Sequence, residues 1–456
     1  MGIFNALSNA YTVEEAFGGS KDITTTEMKE AIAAWFSLYF DGEKTKNIDP
    51  CQRIPYTVVS KLTKTCFGEY SADSKDGFVH DVLAALDARK QRAMQMLLVG
   101  GEGFIKPVPL RDGFVFNIVR RDCMLVFGRD HTGAPCDIGT IERSKHGTKF
   151  YTLLERRTVG SGGLLTIRNT LYASETEDQI GRATSLQAVE AYANLPDEYT
   201  YSKPLGGLGL VHMKMPTENT VDGSPDGVSV YAPALGLILN IYENEAQING
   251  EFSRGKSKVF ASADLMKRRK DGSRHFDDDV FVALDDSPDN VGVTIFSPGL
   301  RIEEYGKREQ KYLRSIESVL GIKRGLLSEV EAVERTAKEI TSSEGDYNLT
   351  ITDLQGVWTK AVFDTIRLCG ILGTLYKVSG AHEVAEPEKA VTIDFGNGIL
   401  YDEDKVWSDY KDMVARGLLK PEIALGWRFN MPTETESDLA RIREKYMPDI
   451  TEGGEE

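Results

Sequence analysis

Cysteine is scarce here and badly placed for pairing. The 456-residue chain has five, Cys51, Cys66, Cys123, Cys136 and Cys369, scattered, odd in number and never in a C-x-x-C pair. That argues against a disulfide scaffold, removes the usual thiolate zinc site, and suits a reducing compartment. Long apolar runs are missing too, and no stretch is long enough to span a bilayer. The start, MGIFNALSNAYTVEEAFGG, lacks a cationic region followed by an apolar core, so no signal peptide is expected. Asn5, Ala6 and Leu7 supply no Ser or Thr at the position that would support myristoylation of Gly2. An aqueous working compartment is expected, with no membrane partner. Positive charge is short overall, the formal net charge being -16. Such a chain is a poor wrapper of nucleic acid but can carry a local basic ring or patch.

Catalytic signatures are thin as well. G-x-S-x-G and H-E-x-x-H do not occur, and no nucleotide-hydrolysing phosphate loop is expected. GSGG at 160–163 lies between two expected strands, the setting of a hairpin turn rather than of a loop that opens a helix onto phosphate. HFDDD at 275–279 offers one imidazole and three hard oxygens for Mg²⁺ or Mn²⁺. Neighbouring carboxylates on a strand or turn point different ways, however, and two-metal chemistry needs ligands from several elements. The plainer reading of HFDDD is a solvated acidic loop. His80, His131, His146, His212 and His382 stand alone in sequence. No cofactor, metal or catalytic residue is expected.

What is present is material for folding. With 41% hydrophobic and 27% charged residues, the length predicts two to four packed units. A helix is expected over Thr24–Phe40, with Thr24 and Glu27 at capping-box spacing and Met28, Ile32, Trp35, Phe36 and Tyr39 on one face. Another is expected over about 81–98, stopped by GGEG at 100–103. The period then changes to that of strands, and about 104–175 is expected to form a mostly antiparallel sheet. No firm structure is assigned to about 180–230. From Ala234 a helical stripe returns with Ile238, Ile241, Glu245, Ile248 and Phe252. A small β insert over about 257–297 separates it from the helix RIEEYGKREQKYLRSIESVLG, whose apolar side holds Ile302, Tyr305, Tyr312, Ile316 and Val319. GIKRGLLSE, 321–329, breaks the pattern with two glycines. The strongest helix, about Thr352–Tyr376, repeats Leu354, Trp358, Ala361, Thr365, Leu368, Leu372 and Leu375 at fours and threes. It is either the central beam of a domain or a seam between copies. A short strand, AVTIDFG, and helices near 403–416 and 434–446 follow. The fold class is α+β.

One stretch inverts the charge. From Arg254 to His275, eight cations (Arg254, Lys256, Lys258, Lys267, Arg268, Arg269, Lys270 and Arg274) face Asp264 and Asp271, a formal +6. Such a patch attracts phosphates without reading bases. It could equally pair with an acidic surface, including a neighbouring copy's Asp277, Asp278 and Asp279. Few aromatics interleave, which disfavours stacking on single strands. Either way the patch is for contact.

The order of several phrases carries a resemblance. VFVALDDSP, then RIEEYGKREQKYLRSIESVLG, then ERTAKEI at 334–340, together with MLLVGGEGFIKPVP at 96–109 and VTIDFGNGILYDEDK in the tail, resemble tailed-bacteriophage portal proteins, especially the subgroup common in phages and prophages of Gram-positive hosts. The resemblance implies a funnel-shaped ring, usually of twelve copies, at one capsid vertex. Residues 1–230 would form the N-terminal part of the wing, 231–256 the first stem helix, 257–298 the clip and 299–320 the second stem helix. The tunnel-loop region would span 321–345, the long wing helix and a strand 346–399, and the crown 400–456.

The implied function is to nucleate procapsid assembly, pass double-stranded DNA in and out, and dock the terminase and then the head-tail adaptor. Major capsid and scaffolding proteins are further implied partners, and the place is the virion vertex after assembly in the host cytoplasm. The implied clip patch is Lys267, Arg268, Arg269, Lys270 and Arg274, with Asp277, Asp278 and Asp279 as its acidic partner. Lys323 and Arg324 fall in the implied tunnel-loop region, and Arg301, Lys307, Arg308, Lys311 and Arg314 on the second stem helix. A head or baseplate ring without a DNA channel is the alternative, and a Mg²⁺-dependent nuclease built on HFDDD a third reading.

Overall fold

The computed structural model describes residues 13–40, 53–160, 162–177, 179–254, 258–261, 267–268, 274–275, 293–296, 299, 301–329, 337–396, 403–429, 431–433 and 435–447. Helix α1 (Thr26–Phe40) buries Met28, Ile32, Trp35, Phe36 and Tyr39 on one face, as their spacing predicts. Its cap falls one residue later than expected. Thr25 Oγ1 accepts the Met28 N–H at 3.1 Å, while the buried Thr24 hydroxyl oxygen accepts from Arg121 instead. Helix α2 (Ile54–Cys66) and strand β1 (Ser71–Asp73) follow.

The single helix expected over 81–98 is two. Asp76 accepts from the N–H groups of Phe78 and Val79, which starts α3 (Gly77–Asp87) early. A turn at Ala88 and Arg89 then precedes α4 (Lys90–Gly100), which Gly101 ends at φ 74. That left-handed conformation is available to glycine at no steric cost.

Two antiparallel sheets come next. Strands β2 (Glu102–Leu110) and β3 (Gly113–Arg120) make one with a later strand. The second holds β4 (Met124–Arg129), β5 (Pro135–His146), β6 (Lys149–Val159), β7 (Leu165–Ser174) and β8 (Arg182–Thr184), in that order, with β9 (Glu198–Thr200) also on β7. Strand β10 (Val211–Lys214) returns to pair with β2, so the first sheet runs β10-β2-β3. Strands β6 and β7 are joined as a hairpin at GSGG, as expected: Val159 pairs with Leu165, Gly160 N–H bonds the Leu164 carbonyl at 3.0 Å and Gly163 N–H the Gly160 carbonyl at 2.9 Å. The segment left open over 180–230 thus supplies β8, β9 and β10, strands too short for alternation to reveal.

Helix α5 (Leu235–Arg254) and helix α6 (Ile302–Val319) lie antiparallel, Asn244 reaching the Tyr305 carbonyl at 3.4 Å and Glu251 pairing with Arg301. Between them are two short antiparallel ladders, β11 (Lys258–Ala261) with β14 (Val293–Phe296), and β12 (Lys267–Arg268) with β13 (Arg274–His275).

Helix α7 (Ala337–Tyr376) starts well before the expected Thr352. Ile351, Leu354, Trp358, Ala361, Val362, Ile366, Cys369 and Leu372 are buried within this chain, against α2, α3, β2 and β10. The heptad-like repeat is therefore the beam of the core rather than a seam left open for another copy. Trp358 has no exposed surface, and truncating such a side chain costs about 3–5 kcal/mol. Strand β15 (Thr392–Asp394) pairs with β1, tying the region after α7 to that before α3. Helices α8 (Glu403–Ala415), α9 (Pro421–Arg428) and α10 (Glu436–Tyr446) close the described chain. Of these α9 was not foreseen.

Candidate functional site

The solvent side of α6 and the turn after it form the most distinctive charged surface. The buried side of α6 is Leu313, Ile316 and Leu320, in one core cluster with Ile238 and Ile241 of α5. Sequence spacing had put Ile302 and Val319 there, but they are 51% and 50% exposed. Fully buried Glu317 sits on that face, one turn after Leu313.

The end of α6 explains how a carboxylate is tolerated. Gly321, at φ 60, donates to the Ser318 carbonyl at 3.4 Å, and Ile322 donates to the Glu317 carbonyl at 3.0 Å. These nested reverse bonds are the glycine stop of a helix, and the buried Ile322 side chain is the apolar contact that accompanies it. The Glu317 carboxylate then closes the turn a second time. Its Oε1 accepts from the N–H groups of Gly325 at 3.1 Å, Leu327 at 2.6 Å and Ser328 at 2.9 Å, and its Oε2 from the Ser328 hydroxyl at 2.7 Å. Three main-chain donors are thereby satisfied by one charged acceptor, the stronger kind of hydrogen bond. GIKRGLLSE is a built turn, not a loose break.

The turn lays Arg324 beside Lys307, Lys311 and Arg314, which recur at four and three residues on the outer face of α6. With Ser315 and Ser318 these four cations line one shallow groove, and no carboxylate is among the described residues of its lining. Lys307, Lys311 and Arg324 are exposed and Arg314 is half-buried. Lys307, Lys311 and Arg324 make no ion pair with any described residue. Lys323 is exposed next to Arg324.

The five cations expected on this helix do not form one set. Arg301 donates through Nε to Glu251 at 2.9 Å and lies over the Tyr305 ring, binding α6 to α5. Arg308 donates to the Tyr312 hydroxyl at 3.1 Å and covers that ring. Only Lys307, Lys311 and Arg314 share the groove.

In the insert, the β12–β13 register sets Lys267 opposite His275 and Arg268 opposite Arg274. Arg269, Lys270, Asp277, Asp278 and Asp279 lie outside the described residues, as does most of HFDDD. The spacing G-x-x-x-x-G-K-[ST] does occur once, as GEFSRGKS at 250–257, contrary to the expectation that no such loop is present. Its context is wrong for phosphate: Gly250–Arg254 form the last turn of α5, whereas a phosphate loop follows a strand and opens a helix.

A second charged cluster escaped sequence reasoning. Glu102 is buried, bonded to Arg129 at 3.1 Å and to His212 at 2.7 Å, with Arg121 Nε at 3.6 Å. Asp226 receives Arg121 at 3.0 Å and Arg129 at 2.6 Å. Burial alone would push the Glu102 carboxyl up; the His212 hydrogen bond and the charges of Arg121 and Arg129 outweigh it and hold the group well below the usual carboxylate range. Close backbone approach makes the cluster. A Cβ on Gly101 would fall 2.3 Å from Val228 N, and one on Gly227 2.2 Å from Gly101 O. The glycines in GGEG and in SPDG (224–227) were the signal available, but the first read as a helix stop and the second fell in the stretch given no firm structure. With their oxygens held by arginine and histidine, these carboxylates tie β2 to β4, β10 and the loop that holds Asp226, and offer no reactive group.

Among the described residues no group of three or more His, Cys, Asp or Glu side chains could hold a metal ion. Burial pushes the Cys66 and Cys123 thiols up to about 12, away from reactivity. No described helix is long and apolar enough to cross a membrane.

No known family profile matches the sequence. No curated protein matches it either. The fold, by contrast, is shared with a chain from a solved structure described as the neck of a native GTA particle computed with C12 symmetry. That match has a TM-score of 0.50 at 13% identity and covers 92% of this chain and 98% of the other. At that identity the likeness is one of fold, and it extends over most of both chains.

Proposed function

We propose that this chain is a portal-type connector subunit, many copies of which close side by side around a passage for double-stranded DNA. The observation that carries the reading is the end-to-end fold likeness to a neck chain whose particle was computed with C12 symmetry. Twelve copies is accordingly the number proposed. In this reading the antiparallel α5–α6 pair is the stem, the ladders between them belong to the clip, α7 is the long wing helix, and α8–α10 form the crown.

Physical reasoning supports the division of labour. Cyclic rings need heterologous contacts that close by rotation, and a pair of parallel-sided helices per copy supplies them. A wall that gripped DNA everywhere would stall it, and a chain of net charge -16 has positive charge to offer only locally. The protein does no hydrolysis in this scheme; a separate terminase drives the DNA. Shell and scaffolding proteins meet the wing, and terminase and adaptor meet the clip in turn.

The test is packaging. Shells assembled from capsid, scaffolding and terminase components with this chain should fill with nuclease-protected DNA. Without it, shells should stay empty. Equal filling without the chain overturns the proposal.

A further inference from the structure

The groove on α6 gathers four cations, with no carboxylate among the described residues that line it, in a chain whose overall charge is strongly negative. We infer that this groove holds the phosphodiester backbone of double-stranded DNA, and that Glu317 is the residue that positions its fourth cation, Arg324. The inference rests on the ring reading for the DNA that the groove meets, and goes beyond it in assigning the residues that meet it.

Spacing favours a repeating polyanion. From Lys307 to Arg314 the helix rises about 10.5 Å at about 1.5 Å per residue. A row of charge that long suits an extended polyanion better than a single small anion. Ser318 offers a hydroxyl to phosphate oxygen, whereas the Ser315 hydroxyl is already committed to the Lys311 carbonyl at 2.9 Å. Among the groove's described lining residues there is no aromatic ring on which an unpaired base could stack, and no Asn or Gln to read a base edge. Contact with backbone alone, indifferent to sequence, is what remains, and it suits DNA that must slide.

A second copy of the chain is the competing occupant, and the helix beside α6 argues against it. Of the three carboxylates on α5 only Glu243 is exposed; Glu245 and Glu251 are half-buried and already engaged, Glu251 by Arg301. A row of cations one turn apart would find no matching acidic row there. Arg324, in turn, belongs to the turn and reaches the groove because Glu317 fixes residues 325–328 through four hydrogen bonds. Removing that carboxylate frees the turn and leaves the helix cations in place.

The experiment uses the full-length purified assembly, its mass checked for each variant, and a fluorescein-labelled 30-base-pair duplex of mixed sequence. Anisotropy titrations at several salt concentrations give the slope of log K against log salt, to which each phosphate contact contributes about 0.9. Lys307→Gln with Lys311→Gln should flatten the slope by at least about 1.8 and weaken binding about tenfold or more at 0.1 M salt. Arg324→Gln should flatten it by at least about 0.9. Glu317→Ala should reproduce the Arg324→Gln loss although it removes a negative charge, and Glu317→Gln, which keeps the acceptor, should restore most of it. Arg301→Gln, on another side of the helix, should leave the slope unchanged. Intact rings with unaltered slope and affinity in the lysine double variant overturn the inference and leave the ring reading standing. Rings that fall apart in that variant also overturn it, because the groove is then a contact between copies. A native protein that never forms rings defeats the ring reading itself.

Discussion

Replacing Arg121 by Met tests the buried charge cluster that joins β2 to the 211–228 segment. Arg121 is 1% exposed, and Glu102 and Asp226 are 0% and 4% exposed. In the native protein two guanidinium groups face two carboxylates, with His212 on the outer side of Glu102. Met fills similar volume but leaves Arg129 to balance both carboxylates. It also removes bonds to the Thr24 hydroxyl at 2.9 Å and the Met124 carbonyl at 3.1 Å. Breaking one partner out of a buried ionic group costs about 3–5 kcal/mol.

Urea unfolding followed by tryptophan fluorescence is a suitable assay, since Trp35 and Trp358 lie in the main core. With a slope of about 3 kcal/mol/M, a loss of about 4 kcal/mol lowers the midpoint by more than about 1 M. Adding Asp226→Asn to Arg121→Met rebalances the charge, so the double variant should be less destabilised than the sum of the singles by about 1–3 kcal/mol. A midpoint shift under about 0.3 M, or strict additivity, would refute the view that these charges are one coupled unit.

Acid should act through the same kind of group. Burial would raise the Glu155 carboxyl, but Arg157 at 2.7 Å and Lys106 at 2.6 Å outweigh it and bring it down to about 2, and Glu102 is lowered as well. A depressed folded value stabilises the protein above the unfolded value of about 4.3 and ceases to do so as pH falls through the folded one. The urea midpoint should be flat from pH 7 to about 5 and drop between about 4 and 2; a constant midpoint down to pH 3 contradicts this. Gly101→Ala should be destabilising beyond the left-handed penalty, because its Cβ would meet the Val228 main chain at 2.3 Å; wild-type stability in the same urea assay refutes that. Arg268→Glu with Arg269→Glu should impair ring formation or terminase docking, and unchanged assembly with unchanged packaging rules the patch out of both.

Much of the fold was legible because it is local. Alternation and the turn glycines mark the strands from β2 to β7, and the four-and-three spacing of Leu354, Trp358 and Ala361 marks α7. The cations Lys307, Lys311 and Arg314 were equally plain as residues of one helix. What stayed hidden depends on chain closure. Arg324 reaches the groove from a turn whose main chain Glu317, a carboxylate on an apolar face, holds through three donors. Arg129 and Asp226 are 97 residues apart and meet only because two glycines let the main chains approach. Periodicity also misplaced Val319 and Ile302, since spacing marks an apolar stripe but not how much of the helix its partner covers. The GEFSRGKS match makes the converse point, a motif present in letters and cancelled by the helix that contains it.

The central claim is a closed ring with a bore, and electron microscopy of the purified chain tests it most directly. The account predicts rotationally symmetric rings of about 0.6 MDa, twelve copies of a 50.5 kDa chain, with an axial opening that admits a duplex whose major groove alone is about 12 Å across. Particles that stay monomeric at every salt concentration, or rings closed along their axis, would contradict it.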